Sequence, residues 1–184
     1  RWVNAGETQT QGVEVSMRGG FDAMGVKMSA GLEGTYMLKK RSRVIASANF
    51  GASEIGTFTF AGDLGLRWKH TAYISGKLGD WGSTLSQTYR RGYMDQVLPG
   101  VATGAVSPPD WKARVADYTT YNLSATYSGI KNLTVTALVK NLFDKDPPFA
   151  VTYDSNGGSG SSWEPRVADP RGRAFVLNVE YKFF

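Results

Sequence analysis

The feature that most constrains the fold is an alternation of apolar and polar side chains with a period of two. In the last segment, one face carries Phe175, Leu177, Val179, Tyr181 and Phe183, and the opposite face is mostly polar. Successive side chains of a β-strand point to opposite faces, so this split predicts a strand with a single apolar environment. Six further segments alternate in the same way, at residues 13–17, 26–38, 64–78, 85–93, 121–127 and 133–143.

The length of these segments distinguishes a membrane protein from a soluble one. The alternation predicts about seven strands of roughly ten or more residues, whereas strands of soluble proteins average about 5 to 6. A tilted strand that crosses a bilayer needs about 9 to 11 residues. Such a strand shows lipid only every second side chain, so the mean hydropathy of −0.29 is compatible with a membrane barrel.

The connections between the predicted strands alternate between short and long. Residues 19–25, 78–82 and 128–132 form the short ones, and residues 39–60, 94–115 and 144–170 the long ones. Outer-membrane barrels have short periplasmic turns and long outer loops. If the C-terminus is periplasmic, all three long loops lie outside. Aromatic residues near strand ends fit a girdle at the lipid headgroups: Tyr36, Trp81, Tyr93, Tyr118, Tyr127 and Tyr181.

An enzyme and a nucleic-acid partner are both disfavoured by composition. The chain has no cysteine, and its net charge of +5 is dispersed rather than gathered into a basic patch. The single histidine, His70, lies on the lipid side of a predicted strand, with no nucleophile or carboxylate partner in the pattern. We therefore expect no catalytic residues, no metal site and no cofactor.

Seven strands with polar inner faces cannot close a water-lined barrel by themselves. Two open edges in lipid would leave backbone groups unsatisfied, at a cost of several kcal/mol each. The predicted class is therefore all-β, an antiparallel up-and-down transmembrane β-barrel of which this chain is one portion.

Three short motifs carry a family resemblance. The first is Asn4-Ala5-Gly6 followed by Gly12-Val13-Glu14-Val15, and the second is Val139-Lys140-Asn141-Leu142-Phe143-Asp144-Lys145. The third is Asp169-Pro170-Arg171-Gly172-Arg173, which leads to Val179-Glu180-Tyr181-Lys182-Phe183-Phe184. In this order they resemble the last part of the barrel of TonB-dependent outer-membrane receptors.

The resemblance implies a 22-stranded barrel filled by an N-terminal plug, in which residues 1–184 supply about the last seven strands. It also implies import of a scarce nutrient, driven by the TonB complex through the missing N-terminal part. The barrel-assembly machinery would read the C-terminal strand, where either Phe183 or Phe184 is the terminal aromatic signal.

Ligand contacts are expected in the outer loops and the lumen. The candidates are arginine and aromatic residues: Arg41, Arg43, Arg90, Tyr93, Trp111, Arg114, Trp163 and Arg166. Such residues suit an anionic, ring-bearing ligand such as a ferric siderophore, through charge and stacking. The alternative is that these charges meet outer-membrane lipid and anionic lipopolysaccharide.

Two other classes of protein share part of the pattern. A passive outer-membrane channel or adhesin barrel without a plug would have the same strands, and the motifs favour the receptor over it. A soluble β-sandwich would also alternate, but it would fold as a stable monomer without detergent.

Overall fold

The computed structural model describes residues 6–59, 63–96, 104, 114–150 and 162–183. They form a seven-stranded antiparallel sheet and a separate two-stranded hairpin. The strands are β1 (Glu7–Ala23), β2 (Val26–Arg43), β3 (Trp68–Leu78), β4 (Trp81–Arg90), β5 (Tyr93–Met94), β6 (Arg114–Val115), β7 (Tyr118–Ile130), β8 (Leu133–Lys140) and β9 (Ala174–Tyr181). No helix in these ranges is long and apolar enough to cross a membrane.

The large sheet has the simplest possible topology. Its order is β1-β2-β3-β4-β7-β8-β9, so every strand lies beside its neighbour in the chain, and β5 and β6 form the hairpin within one connection. This confirms the predicted antiparallel up-and-down arrangement of seven strands. Among the described ranges, β1 and β9 each pair on one side only.

The strand register aligns the apolar side chains on a single face. One row across the sheet runs through Ala30, Ile74, Leu85, Leu123, Val139 and Phe175. Several of these side chains are well exposed, and Phe175 is 77% exposed. A face this large and apolar marks contact with another apolar medium, because soluble proteins rarely leave one uncovered. We call it the outer face and the opposite polar one the inner wall.

The three short turns are tighter than the sequence pattern indicates. Met24 and Gly25 both have positive φ, at 52° and 78°, as a two-residue type I′ hairpin turn requires. Gly79 has a φ of 55° and Asn132 a φ of 63° in the other two turns. The expectation of a turn over residues 19–25 was too wide, because 19–23 stay paired with β2.

The long connections span residues 44–67, 91–117 and 141–173, and described residues from all three pack on one another. Their shared core consists of Leu64, Leu66, Tyr93, Val115, Tyr118, Ala150, Val167 and Ala168, with Phe58 packed against it. We call this the loop core. It lies at the end of the sheet opposite the three tight turns, so the alternation of short and long connections is confirmed.

Several residues at the loop end differ from expectation. Leu64 and Leu66 were predicted on the apolar face of β3, but they lie in the loop core, and Gly65 between them has a φ of 61°. Tyr93 and Tyr118 were predicted in the aromatic girdle, but they are 2% and 5% exposed beneath the loops. The alternation continues past the strand ends because the loop core is itself apolar.

Two aromatic belts border the apolar band of the outer face. The belt near the loops contains Tyr36, Trp68, Tyr89, Tyr121 and Phe143, and the belt near the tight turns contains Trp81, Tyr127, Tyr181 and Phe183. The ten residue steps from Trp68 to Leu78 span roughly 33 Å along β3, or about 25 Å vertically at a tilt of about 40°. That height matches the apolar band of an outer-membrane barrel.

Candidate functional site: inner wall and loop core

The inner wall carries rows of polar side chains that cross several strands. One row pairs Glu14 with Thr35, Lys69 and Arg90. The next row contains Ser16, Glu33, Thr71 and Thr88. Together they line a cavity of about 490 Å³. The inner wall is therefore polar and charged, whereas the outer face is apolar.

Charges on this wall are only partly paired. Arg18 forms an ion pair with Glu33 across β1 and β2. Lys69 and Arg90 are directly opposed on β3 and β4, and two like charges in that position repel. Within the described ranges, neither Lys69 nor Glu14 forms a salt bridge. The wall thus presents carboxylates and cations, and the opposed pair Lys69 and Arg90 is the position that a negatively charged partner could neutralise.

A second cavity of about 370 Å³ lies on the inner wall below the loop core. Its charged lining consists of Arg90, Lys140, Asp169 and Arg171. Asp169 accepts a hydrogen bond from Arg171 Nε at 2.9 Å, and with a backbone hydrogen bond this lowers the pKa of the carboxyl to about 2. Arg90 also donates to the carbonyl of Val167, so this one side chain joins the wall to the last loop.

Among the described residues, one ion pair beside the loop core has a buried carboxylate. Glu164 is 3% exposed by side chain and accepts a hydrogen bond from Arg166 Nε at 2.8 Å. Burial alone would raise the pKa of Glu164, but the hydrogen bonds from Arg166 outweigh it, and the pKa is lowered. Arg166 further donates to the carbonyl of Thr59 at 2.8 Å and lies over the ring of Phe58. The pair fastens the last long loop to the first.

The remaining candidate ligand residues divide between the loop ends and the loop core. Arg41 donates to Gln9 at 3.0 Å, Arg43 pairs with Glu7, and both guanidinium groups lie within 4.9 Å of the Phe50 ring centroid. These contacts hold the first long loop against the ends of β1 and β2.

Tyr93, Arg114 and Trp163 occupy three different environments. The Tyr93 hydroxyl is buried and has no hydrogen-bond partner among the described residues, and burial raises its pKa. Arg114 is exposed in β6, and Trp163 is half-buried. Trp111 lies outside the described residues. The seven candidates among the described residues do not line one pocket together, and the part of all eight in ligand binding stays a prediction.

The motif around Asn141 is a backbone clamp. Asn141 Oδ1 accepts from Lys145 N at 2.9 Å, and Asn141 Nδ2 donates to Lys145 O at 3.0 Å. Asp144 Oδ1 accepts from Arg173 N at 2.7 Å, which ties the start of the loop to the start of β9. Leu142 N donates to Tyr121 O at 2.7 Å, and Phe143 packs edge-on against Tyr121.

The other motif residues also have structural positions. Gly12 lies at a register shift between β1 and β2, where a Cβ atom would come 3.0 Å from the carbonyl oxygen of Tyr36. Glu14 faces the inner wall. Tyr181 and Phe183 pack edge-on with ring centroids 5.0 Å apart on the outer face. Phe184 lies outside the described residues, so the choice between Phe183 and Phe184 stays open.

Two inner-wall residues were not among the predicted contacts. Lys140 ends β8 on the polar face and lines the second cavity. Asn122 accepts a hydrogen bond from Asn141 N at 3.0 Å and so connects the wall to the clamp. Both fall on the polar parity of their strands, and a systematic use of that parity would have found them.

Comparisons with known proteins agree with this geometry. A family model described as TonB-dependent receptor-like, β-barrel, matches residues 1–142. Among solved structures, a mutant of the ferric enterobactin receptor from Pseudomonas aeruginosa matches with a TM-score of 0.52 and 18% sequence identity. The match covers 92% of this chain and 22% of that one, so the chain spans about a fifth of the length of its structural relative. No curated protein matches the sequence.

The family match covers most of the chain and agrees with the fold. Family members are outer-membrane receptors that act as transporters rather than enzymes. No group of described residues has the make-up of a metal site. The one-sided apolar face, the polar inner wall and the matched residues lead to one conclusion: this chain belongs to the TonB-dependent receptor β-barrel family.

Proposed function

We propose that residues 1–184 form the C-terminal portion of the barrel of an active outer-membrane importer. Its substrate would be a scarce nutrient, specifically a ferric siderophore or a similar iron complex, and TonB would supply the energy through a part of the protein outside this chain. The family match over residues 1–142 is the observation that carries the proposal. The polar wall behind an apolar outer face supports it, because import requires a lumen.

The charge of the inner wall supports an anionic substrate. Lys69 and Arg90 oppose each other on adjacent strands, and Lys140 and Arg171 line the neighbouring cavity. An anionic group placed between Lys69 and Arg90 would relieve their mutual repulsion and accept charge-assisted hydrogen bonds. The ferric enterobactin receptor among the structural matches is consistent with an iron complex.

The unpaired edge of β9 supports a second partner. Within the described ranges β9 pairs only with β8, and its outer face is apolar from Phe175 to Tyr181. An edge of this kind can accept a further strand by β-augmentation. We propose that the barrel-assembly machinery uses it during insertion and that the upstream part of the barrel uses it afterwards.

Uptake measurements test the import proposal. The full-length protein is expressed in a strain that lacks its own copy, and uptake of radiolabelled iron complexes is measured with and without a functional TonB complex. We expect uptake that saturates and that stops when TonB is removed. Uptake that continues at the same rate without TonB would identify a passive channel instead.

A pair of charge variants tests the proposed substrate contact. Lys69→Gln removes a cation opposite Arg90 near the loops, and Lys77→Gln removes one from the same wall near the tight turns. We expect Lys69→Gln to weaken binding of the imported complex about tenfold, as loss of a charged hydrogen bond does, and Lys77→Gln to change it little. Equal effects of the two variants would show that general wall charge, not this position, matters.

A further inference from the structure

A polar bridge crosses the outer face at the end near the loops. His70, Gln87 and Tyr121 lie on β3, β4 and β7, on the same face as Ile74 and Leu85. His70 Nε2 is 3.1 Å from Gln87 Oε1, and Gln87 Nε2 donates to the Tyr121 hydroxyl at 2.7 Å. Polar side chains are costly in hydrocarbon. Their presence here shows where the outer face leaves the hydrocarbon and meets the headgroups.

Aromatic rings at the same level support this assignment. The His70 ring stacks on Tyr89 with centroids 5.2 Å apart and an angle of 21°, and it lies 5.5 Å from Trp68. Tyrosine and tryptophan concentrate at the membrane–water interface because one part of the ring is apolar and the other is polar. The bridge therefore belongs to the interfacial belt rather than to the apolar band.

Three arginine residues lie directly beyond this belt. The Arg67 guanidinium carbon is 6.0 Å from the ring centroid of Tyr36 on the outer face. Arg91 N donates to Trp68 O at 3.0 Å, which extends the β3–β4 register by one residue and gives Arg91 the same face as Trp68. Arg114 is exposed in β6. We call Arg67, Arg91 and Arg114 the rim cluster.

One carboxylate accompanies the rim cluster. Asp117 accepts hydrogen bonds from the Tyr89 hydroxyl and, at 2.8 Å, from Gly92 N. These two hydrogen bonds lower the pKa of Asp117, and Arg91 and Arg114 lie close enough to lower it further. Arg91 and Arg114 beside one carboxylate, together with Arg67 against the Tyr36 ring, leave a net positive rim above the aromatic belt.

A notch in the apolar band lies below the polar bridge. It has a volume of about 250 Å³, and its outer-face lining is Ala72, Ile74, Leu85, Gln87 and Tyr121. The small side chain of Ala72 creates the space between the larger neighbours. From the loops towards the membrane centre, the outer face is therefore first cationic, then aromatic and polar, and finally apolar and concave.

We propose that this part of the outer face binds one lipid A molecule of lipopolysaccharide, with a phosphate on the rim cluster and an acyl chain in the notch. The inference rests on the proposed function, because it takes the loop end of the barrel to be the external one. Guanidinium groups suit phosphate oxygens through paired hydrogen bonds. A second copy of the protein would not complement this rim, because its own rim carries the same charge.

The binding experiment uses the purified full-length protein in lipid nanodiscs and does not depend on transport. The probes are diphosphorylated lipid A, its dephosphorylated form and phosphatidylglycerol, each measured by native mass spectrometry and by displacement of a fluorescent lipid A. The test variant is Arg67→Gln with Arg91→Gln. The matched control is Lys131→Gln with Lys182→Gln, which removes the same charge at the tight-turn end.

We expect the arginine double variant to bind diphosphorylated lipid A about 30-fold more weakly than the unmodified protein, from the typical contribution of a basic residue at a lipid surface. The lysine control should bind like the unmodified protein, and the dephosphorylated probe should bind weakly to all three. A more conservative variant, Arg67→Lys with Arg91→Lys, keeps the charge and should lose less binding if folding is unaffected.

Three results would overturn the proposal. Unchanged binding by the arginine double variant would show that the rim cluster is not the phosphate site. An equal loss of lipid A binding in the lysine control would indicate a general charge effect. Binding of phosphatidylglycerol as tight as that of lipid A would show that lipid A is not the selected lipid. A protein that binds lipid A as expected but imports no iron complex would leave this inference standing and refute the proposed function.

Discussion

Replacing Asn141 by alanine should remove the clamp that begins the last long loop. The side chain makes two hydrogen bonds with the backbone of Lys145, at 2.9 and 3.0 Å, and Asn141 is 8% exposed. Each such bond contributes about 1 kcal/mol net. Asn141 also has a φ of 48°, a conformation that costs residues such as alanine roughly 1 kcal/mol. The expected loss in the free energy of unfolding is therefore roughly 3 kcal/mol.

Two comparison variants separate these contributions. Asn141→Gly removes the hydrogen bonds but tolerates the positive φ, so it should cost about 2 kcal/mol. Asn132→Ala tests the backbone conformation alone, because Asn132 has a φ of 63° and its contact in the described ranges is through its backbone oxygen to Lys182 N. It should cost about 1 kcal/mol.

The assay is denaturant-induced unfolding of the full-length barrel in detergent, combined with hydrogen exchange of individual backbone amides. In Asn141→Ala we expect faster exchange at the amides of Lys145 and Arg173, which the clamp and Asp144 now protect. If Asn141→Ala costs no more than Asn132→Ala, and the Lys145 amide exchanges as before, the clamp does not stabilise the fold.

Three further changes test contacts elsewhere in the chain. Gly34→Ala would place a Cβ atom 2.4 Å from the Trp68 ring, so we expect the ring to shift and its fluorescence to change. The free energy of unfolding should fall by about 1 kcal/mol or more. Since the folded-state pKa of Asp169 is about 2, below its usual value, its ion pair with Arg171 should stabilise the fold above about pH 4. That contribution should disappear as the pH falls towards 2, and it should be small because both groups are exposed and screened by solvent. Glu164→Gln should lower the unfolding temperature, because a neutral amide replaces the buried carboxylate that pairs with the half-buried Arg166 guanidinium.

Most of the sheet could be predicted from the sequence, because the alternation of apolar and polar residues within each strand is enough to show which of its faces is apolar. The alternation in β9 assigns Phe175, Leu177 and Val179 to one face without knowledge of any neighbour, and the same holds for the other six long strands. Membrane strands are favourable cases, since one face meets lipid along the whole length. The lipid-side placement of His70 follows from the same parity.

The loop end could not be predicted in this way because its packing depends on contacts distant in sequence. Leu64 and Leu66 alternate as a strand would, yet Gly65 turns the chain and Tyr93 and Val167 from other loops cover them. The local pattern is the same for an apolar side chain that faces lipid and one that faces another loop. For the same reason Arg166 could be identified as a candidate residue, but not as the donor to the carbonyl of Thr59 in the first long loop.

The unequal connections have a consequence for the order in which the barrel assembles. Three strand pairs are joined by tight turns such as Met24–Gly25, whereas β8 and β9 are joined through residues 141–173. Each doubling of a connection adds about 0.6 kcal/mol of closure entropy, so the long loop costs roughly 2 kcal/mol more to close than a tight turn. The strand pairs joined by tight turns should therefore form their hydrogen bonds first, on a microsecond timescale. The last strand should dock onto them late, when the contact between Asp144 and Arg173 N forms.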